Sequence, residues 1–252
     1  GLAGQACNLV SCHAEGNVTA ANSNHVGGLV GKATNLKSCY AIGKVIGNEN
    51  VGGLVGSPIS NDINAENSYA TGDVSGNKYV GGFAGIGRKH TLCYSTGNVS
   101  GKHFIGGFIG GNGNNITQCY AKGDVTYTSE NTQNQEVLIG GLVGEGSEIT
   151  NSYATGNVQA KGGNYVGGLA GKGSTMKNCY ATGSVEGWNY VGGLIGESKD
   201  DIELSYSTGN VKANGIVGGL IGNATKTFWN SSNGAKYCMA SGNVEATEDY
   251  VG

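Results

Sequence analysis

Tyr165-Val166-Gly167-Gly168-Leu169-Ala170-Gly171-Lys172-Gly173-Ser174-Thr175-Met176-Lys177-Asn178-Cys179-Tyr180-Ala181-Thr182-Gly183-Ser184-Val185 is the stretch that decides the fold, because near-copies of it run along the whole 252-residue chain. Its first block, Val-Gly-Gly-Leu-Ala-Gly, starts at Val166 and has equivalents starting at Val26, Val51, Val80, Ile105, Ile139, Val191 and Val217. Its second block, Tyr-Ala-Thr-Gly-Ser-Val, starts at Tyr180 and has equivalents at His13, Tyr40, Tyr69, Tyr94, Tyr120, Tyr153, Tyr206 and Met239. The two blocks alternate without exception. Successive first blocks are 25, 29, 25, 34, 27, 25 and 26 residues apart, and 34 more residues lead to Val251-Gly252, the opening of a ninth copy. Gly1-Leu2-Ala3-Gly4 reads as the tail of another copy. Residues 1–252 are therefore expected to form a single repeat array, truncated within a repeat at both ends, since terminal repeats normally carry polar caps. The longer spacings place insertions after Gly56, with Pro58, within Thr126 to Glu136, and between Gly222 and Met239, where Phe228 and Trp229 lie.

Each unit is rich in Val, Ile, Tyr and Thr and is punctuated by Gly, Asn and Asp, which predicts short strands joined by turns. No stretch carries a helical period with caps. A unit of this length is too short for a propeller blade and lacks the leucine pattern of a leucine-rich repeat. The expected fold is all-β: a β-solenoid, parallel β-helix-like, of about nine stacked turns of 25–34 residues. At the spacing of neighbouring strands such a rod is on the order of 43 Å long.

Comparison of equivalent positions predicts what lies inside. Five residues after the Tyr position stand Val18, Val45, Val74, Val99, Val125, Val158, Val185, Val211 and Val244, a valine in every copy. Four residues before it stand Leu9, Leu36, Ala65, His90, Ile116, Ile149, Met176, Ile202 and Ala235, which are mostly apolar. Identical β-branched residues in register are what a buried ladder selects. Leu29, Leu54, Phe83, Phe108, Leu142, Leu169, Leu194 and Leu220 predict a second ladder, whose inward face stays open because its neighbours are also apolar. The Gly27-Gly28 doublet is expected at a bend or close contact between layers, and Gly72 at a turn.

Composition narrows the function. Glycine supplies 49 residues and proline one, which excludes collagen. Apolar residues at 38% and charged residues at 13% argue against simple disorder. The net charge is −3, and no basic run exceeds Arg88-Lys89, so neither nucleic acid nor membrane insertion is expected. Six of the seven cysteines, Cys12, Cys39, Cys93, Cys119, Cys179 and Cys238, stand directly before the Tyr position. Ser68, Ser152 and Ser205 replace them in the other copies. Thiol and hydroxyl exchanging at one site predict a structural ladder of small buried side chains rather than disulfides.

Catalytic and metal patterns are sparse. Cys7, Cys12, His13 and His25 match no zinc spacing. His90 and His103 lie in different copies without an acidic orienter. Asp73 and Asp124 share a register two turns apart, and Asp200, Asp201 and Glu203 read as a solvated turn. Neither a nucleophile elbow nor a phosphate loop occurs, so the chain is expected to be no enzyme and to use no cofactor. A surface column remains: Tyr69, Tyr94, Tyr120, Tyr153, Tyr180 and Tyr206, with Tyr40 before them and Thr71, Thr96, Thr155, Thr182 and Thr208 two residues on. It reads as cross-strand stacking that stiffens the sheet. The alternative reading is a ligand strip for a glycan or protein. Glu15, Ile42 and Lys122 interrupt the threonines and count against an ice-binding array.

The paired blocks, Tyr165 to Gly171 followed by Asn178 to Val185, resemble the GLUG repeat of bacterial surface and secreted proteins, including immunoglobulin A1 peptidases and large adhesins. The resemblance spans essentially the whole chain, with His13 and Met239 departing at the Tyr position. It implies an extracellular or cell-surface location and a non-catalytic spacer or display rod joined to flanking domains of a larger protein. Two alternatives stay open: a module binding glycan or host protein through the Tyr column or the inserted loops, and an accessory domain beside a secreted protease. No HExxH occurs, so no catalytic residue carries over.

Overall fold

The computed structural model describes residues 1–129, 136–225 and 234–247, and they contain strands and no helix. Phe228, Trp229, Val251 and Gly252 lie outside these residues. One turn runs through four strands, as in Val30–Lys37, Tyr40–Ala41, Val45–Ile46 and Glu49–Gly52. Each pairs in parallel with the same segment of the next turn, so the chain winds into a β-solenoid. The Tyr-block strands form one nine-stranded sheet and the Val strands another. The strands leading into the glycine doublet form an eight-stranded sheet. The long strands form a fourth sheet of 13 strands, because some turns break the long strand in two, as at Ala170–Gly173 and Met176–Lys177. The outcome is about eight complete turns with a part turn left over, one fewer than the nine expected.

Register follows the repeat. Tyr69 pairs with Tyr40 and Tyr94, and Val74 with Val45 and Val99. Because the side-chain period of a strand is two, a slip of one residue would turn every valine outward, so the all-valine position fixes the pairing. The valines from Val45 to Val211 are buried, as are Leu36, Ala65, His90, Ile116, Ile149, Met176 and Ile202.

The interior is two cores rather than one. Leu29, Val30, Leu36 and their equivalents, with the cysteines, fill the first. Val26 and Val45 with their equivalents fill the second. The glycine doublet divides them. A Cβ on Gly28 would lie 2.1 Å from the Gly53 carbonyl oxygen, 3.0 Å from Ala41 Cβ and 3.2 Å from Val45 Cγ2. The backbone at the doublet thus folds inward until it touches the opposite wall, with Val26 on one side of the pinch and Leu29 and Val30 on the other. This answers which residues of the first block face inward: both flanks do, into different cores. At this waist Ser95 and Ser207 stand where most turns have alanine, and each donates its hydroxyl to a doublet carbonyl, Gly107 at 2.6 Å and Gly219 at 2.7 Å.

Left-handed backbone falls where the glycine pattern did not point. The residue two before the Tyr position has φ between 48° and 56° in all nine copies: Ser11, Ser38, Asn67, Leu92, Gln118, Asn151, Asn178, Leu204 and Tyr237. His25, Asn50, Tyr79, Phe104, Tyr165 and Tyr190, directly before the first block, share this conformation. The framework glycines serve close approach instead. Gly72, expected at a turn, does sit at a bend, and a Cβ there would lie 2.0 Å from the Gly43 carbonyl oxygen of the turn below.

Of the insertions, the first returns Ile63 to the interior, fully buried, while Pro58 pairs with Ala33 at the strand end. The second buries Tyr127, Val137 and Leu138 and presents Glu136 to Lys172 at 2.6 Å.

Candidate functional site

The outer face of the Tyr-block sheet carries the column singled out in the sequence. Tyr40, Tyr69, Tyr94, Tyr120, Tyr153, Tyr180 and Tyr206 stack in an unbroken series, with ring centroids 4.7–5.0 Å apart and planes within 6° of parallel. His13 extends the stack onto Tyr40 at 4.8 Å. The in-register parallel strands dictate this, since equivalent side chains must repeat at the strand spacing. The rings are half-buried, and burial followed by the neighbouring phenols pushes the Tyr94, Tyr120 and Tyr180 hydroxyls up from 10. From Tyr40 to Tyr180 each ring has a ring on both faces, and Tyr206 has Tyr180 on one face and Met239 on the strand beyond. What the column offers outward is therefore a row of ring edges and hydroxyls, not open faces for a sugar to stack on. The thread of Thr71, Thr96, Thr155, Thr182 and Thr208 runs beside it, part-exposed to exposed, and Ile42 and Lys122 interrupt it. Lys122 Nζ lies 5.1 Å from the Tyr120 ring centroid.

The next outward column is engaged internally. Asp73 accepts the Asn98 N–H at 2.8 Å, Asn98 the Asp124 N–H at 2.9 Å, and Asp124 the Asn157 N–H at 2.8 Å. Asn17, Asn157 and Asn210 do the same for the turns above them. Asp73 and Asp124 are therefore separate members of a ladder that caps backbone donors, with Asn98 between them. Asp201 accepts the Gly234 N–H at 2.8 Å, and Glu203 pairs with Lys177 at 2.9 Å.

The cysteine column lies in the first core. Cys39, Cys93, Cys119 and Cys179 are buried free thiols, and Cys12 and Cys238 are half-buried. Each of Cys39, Cys93, Cys119 and Cys179 donates its S–H to the carbonyl two residues earlier, at 3.3 Å. Burial pushes the Cys179 thiol up to about 11. Where serine takes the position, Ser68, Ser152 and Ser205 donate to the corresponding carbonyl and accept the N–H of Cys39, Cys119 and Cys179 from the neighbouring turn. This is the hydrogen-bond reason thiol and hydroxyl exchange there.

Three clusters escaped sequence reasoning. His25 Nδ1 lies 2.7 Å from Ser57 Oγ, 32 positions along the chain. Its first-block corner reaches the strand of the next turn, a juxtaposition visible only after the turns are stacked. Ser57 is buried. Lys172 Nζ sits 3.7 Å from the Tyr165 ring centroid and pairs with Glu136 at 2.6 Å and Glu197 at 3.4 Å. Burial opposes its charge, but the two carboxylates outweigh burial and raise its pKa. Finally, Tyr127, Lys161, Glu186, Trp188, Lys212 and Asn214 line a surface notch of about 610 Å³ beside the second insertion, with Trp188 exposed. Trp188 stands in a column where other turns have Asn48, Asn77 and Asn214, and among the described residues no ring stacks on its indole. Among the described residues, no three His, Cys, Asp or Glu side chains converge on a point. Cys7 is exposed, His13 stacks on Tyr40 and His25 bonds Ser57, so these do not meet with Cys12.

The model of the GLUG motif fits residues 47–75, 105–126, 136–159 and 162–186. Each fitted segment contains one complete first block and the complete Tyr block that follows it. No curated protein and no solved structure matches.

Proposed function

We propose, from the premise that this chain is an array of GLUG-motif repeats, that it is a non-catalytic spacer or display rod of a larger bacterial surface or secreted protein. The carrying observation is that the repeated polar and aromatic side chains serve the stack itself. The tyrosines pack on tyrosines, the Asn/Asp column caps backbone donors, and the thiols and serine hydroxyls bond carbonyls. Length in such a rod is set by the number of turns, which suits holding flanking domains at a fixed distance. Two measurements test this. Protease shaving of intact producing cells should release peptides of the array, and their release only after lysis would overturn the location. Turnover of any polysaccharide in a hydrolysis panel would overturn the non-catalytic assignment.

A second reading, binding of a glycan or host protein, is favoured by one observation: the open indole of Trp188 in its notch. Aromatic faces of this kind receive the apolar face of a pyranose. On a glycan array, Trp188→Ala should abolish binding if the notch is the site. Loss on Tyr94→Ala and Tyr120→Ala, with Trp188→Ala unaffected, would move the site to the column. No binding by the unaltered protein would end the glycan version of the reading.

A further inference from the structure

The cysteine column is interrupted by serines, and the interruptions leave only two places where neighbouring turns both carry cysteine. In stacking order the column reads Cys12, Cys39, Ser68, Cys93, Cys119, Ser152, Cys179, Ser205, Cys238. Cys12 thus lies against Cys39 and Cys93 against Cys119, while Cys179 lies between Ser152 and Ser205 and Cys238 against Ser205. We infer that Cys12–Cys39 and Cys93–Cys119 form a pair of disulfide staples between successive turns when the protein meets a disulfide oxidant.

Geometry carries this. The two cysteines of each pair sit at equivalent corner positions between parallel strands in register, bracketed by the Leu9–Leu36 and His13–Tyr40 pairs in one case and by Thr91–Thr117 and Tyr94–Tyr120 in the other. Neighbouring strands are about 4.8 Å apart, and the ring stacks one residue along confirm that spacing locally, 4.8 Å for both His13–Tyr40 and Tyr94–Tyr120. A disulfide accepts Cα separations from about 4.4 to 6.8 Å. Cys39, Cys93 and Cys119 lie in the first core and Cys12 packs against it, and Cys39 Sγ and Cys119 Sγ reach carbonyls of the turn below, Leu9 at 3.4 Å and His90 at 3.5 Å, so each sulfur leans towards its partner's turn. The thiols already sense each other: after burial, Cys119 pushes the Cys93 thiol up, and Cys12 contributes to raising Cys39.

Access orders the two pairs. Cys12 is half-buried and Cys39, Cys93 and Cys119 are buried, so the Cys12–Cys39 pair reacts first. With oxidised glutathione as oxidant, the Cys12 thiolate attacks one sulfur of its disulfide, forming a mixed disulfide and expelling one glutathione thiolate. The Cys39 thiolate then attacks the Cys12 sulfur, breaking the mixed disulfide and expelling the second glutathione. The protein loses two electrons and two hydrogens, which appear on two reduced glutathione molecules.

The test is oxidation of the folded protein with oxidised glutathione, blocking of remaining thiols with iodoacetamide after unfolding in denaturant, and peptide mass spectrometry with fragmentation. A Cys12–Cys39 cross-linked peptide should appear first and Cys93–Cys119 later, with Cys179 and Cys238 alkylated, and a reductant should reverse both. Cys39→Ser, a residue three other turns use at this position, keeps the fold and should trap glutathione on Cys12. A Cys7–Cys12 link, or glutathione on Cys12 of the unaltered protein with no cross-link, would overturn the inference.

Discussion

His90 shows most clearly what a single residue can do against the repeat. It occupies a position where Leu36, Ile116, Ile149 and Ile202 stand, fully buried, its ring edge-on to Phe83 and Phe108 at 5.5 and 5.6 Å. Neither ring nitrogen has a hydrogen-bond partner. Burial therefore pushes its pKa from 6.5 down to about 3. A base with a depressed folded pKa binds protons more readily unfolded, so stability is complete above pH 6.5 and falls as pH drops from there towards 3. At pH 5 the loss from this one group is about 2 kcal/mol. Replacing it with isoleucine should stabilise by about 1–3 kcal/mol for the two unpaired polar atoms removed, read as a higher denaturant midpoint at pH 7, and flatten the decline between pH 7 and 5. An unchanged pH slope in His90→Ile would locate the acid sensitivity elsewhere. Leu92 is a second local conflict, a large exposed apolar side chain at φ 56°, where Asn67, Asn151 and Asn178 stand in other turns. Asparagine tolerates that conformation best after glycine. Leu92→Asn should stabilise by about 0.5–1 kcal/mol, read as a higher midpoint in the same titration.

At the scale of the element, the glycine doublet is the part that substitution should hurt most. On Gly168 a Cβ would meet the Gly193 carbonyl oxygen at 2.2 Å and Ala181 Cβ at 2.9 Å, both held by the sheets around them. Gly168→Ala should lower stability by about 3 kcal/mol or more, in the range of overpacked cores. Gly4→Ala, with nothing within 4 Å of its Cβ, should change it by less than about 0.5 kcal/mol. Equal effects in thermal denaturation would refute the pinch. The contrast also explains how far the sequence could be read. The valine ladder, the Cys/Ser exchange and the tyrosine column were legible because each is a fixed residue type at a fixed offset, and stacking is the simplest cause of that. The two cores were not, because Val26, Leu29 and Val30 are all apolar and a linear pattern does not say that the backbone folds inward between them. The left-handed corners were hidden because Ser, Asn, Leu, Gln and Tyr share the position and glycine never occupies it. The notch at Trp188 depends on four turns meeting and has no signature within any one of them.

For the whole molecule, the consequence of parallel register is that any turn should be dispensable. Removing residues 166–190 deletes one complete 25-residue unit and brings Val191 against Ile139, Leu194 against Leu142 and Tyr206 against Tyr153. The framework pairs remade this way are ones the array already makes between like residues, so the waist, both cores and the tyrosine stack close without a gap; the deletion also removes Lys172 and sets Glu197 against Glu145, so the shortened chain carries Glu197→Lys to restore the opposite charge. Only nearest-neighbour turns interact strongly in such an array, and stability is close to a sum of unit and interface terms. The shortened chain should therefore fold, lose roughly one turn's share of stability, and be shorter by about one strand spacing of 4.8 Å. Small-angle scattering would give the change in longest dimension. The distance between dyes on Lys44 and Lys212, each introduced through a cysteine in a cysteine-free background built with serine, would give it again by energy transfer. The serine background is itself informative, since Ser68, Ser152 and Ser205 show that the column accepts hydroxyls. A deletion that unfolds the protein, or leaves its length unchanged, would mean that the turns are not interchangeable. The proposed role as a ruler between flanking domains would then fall with it.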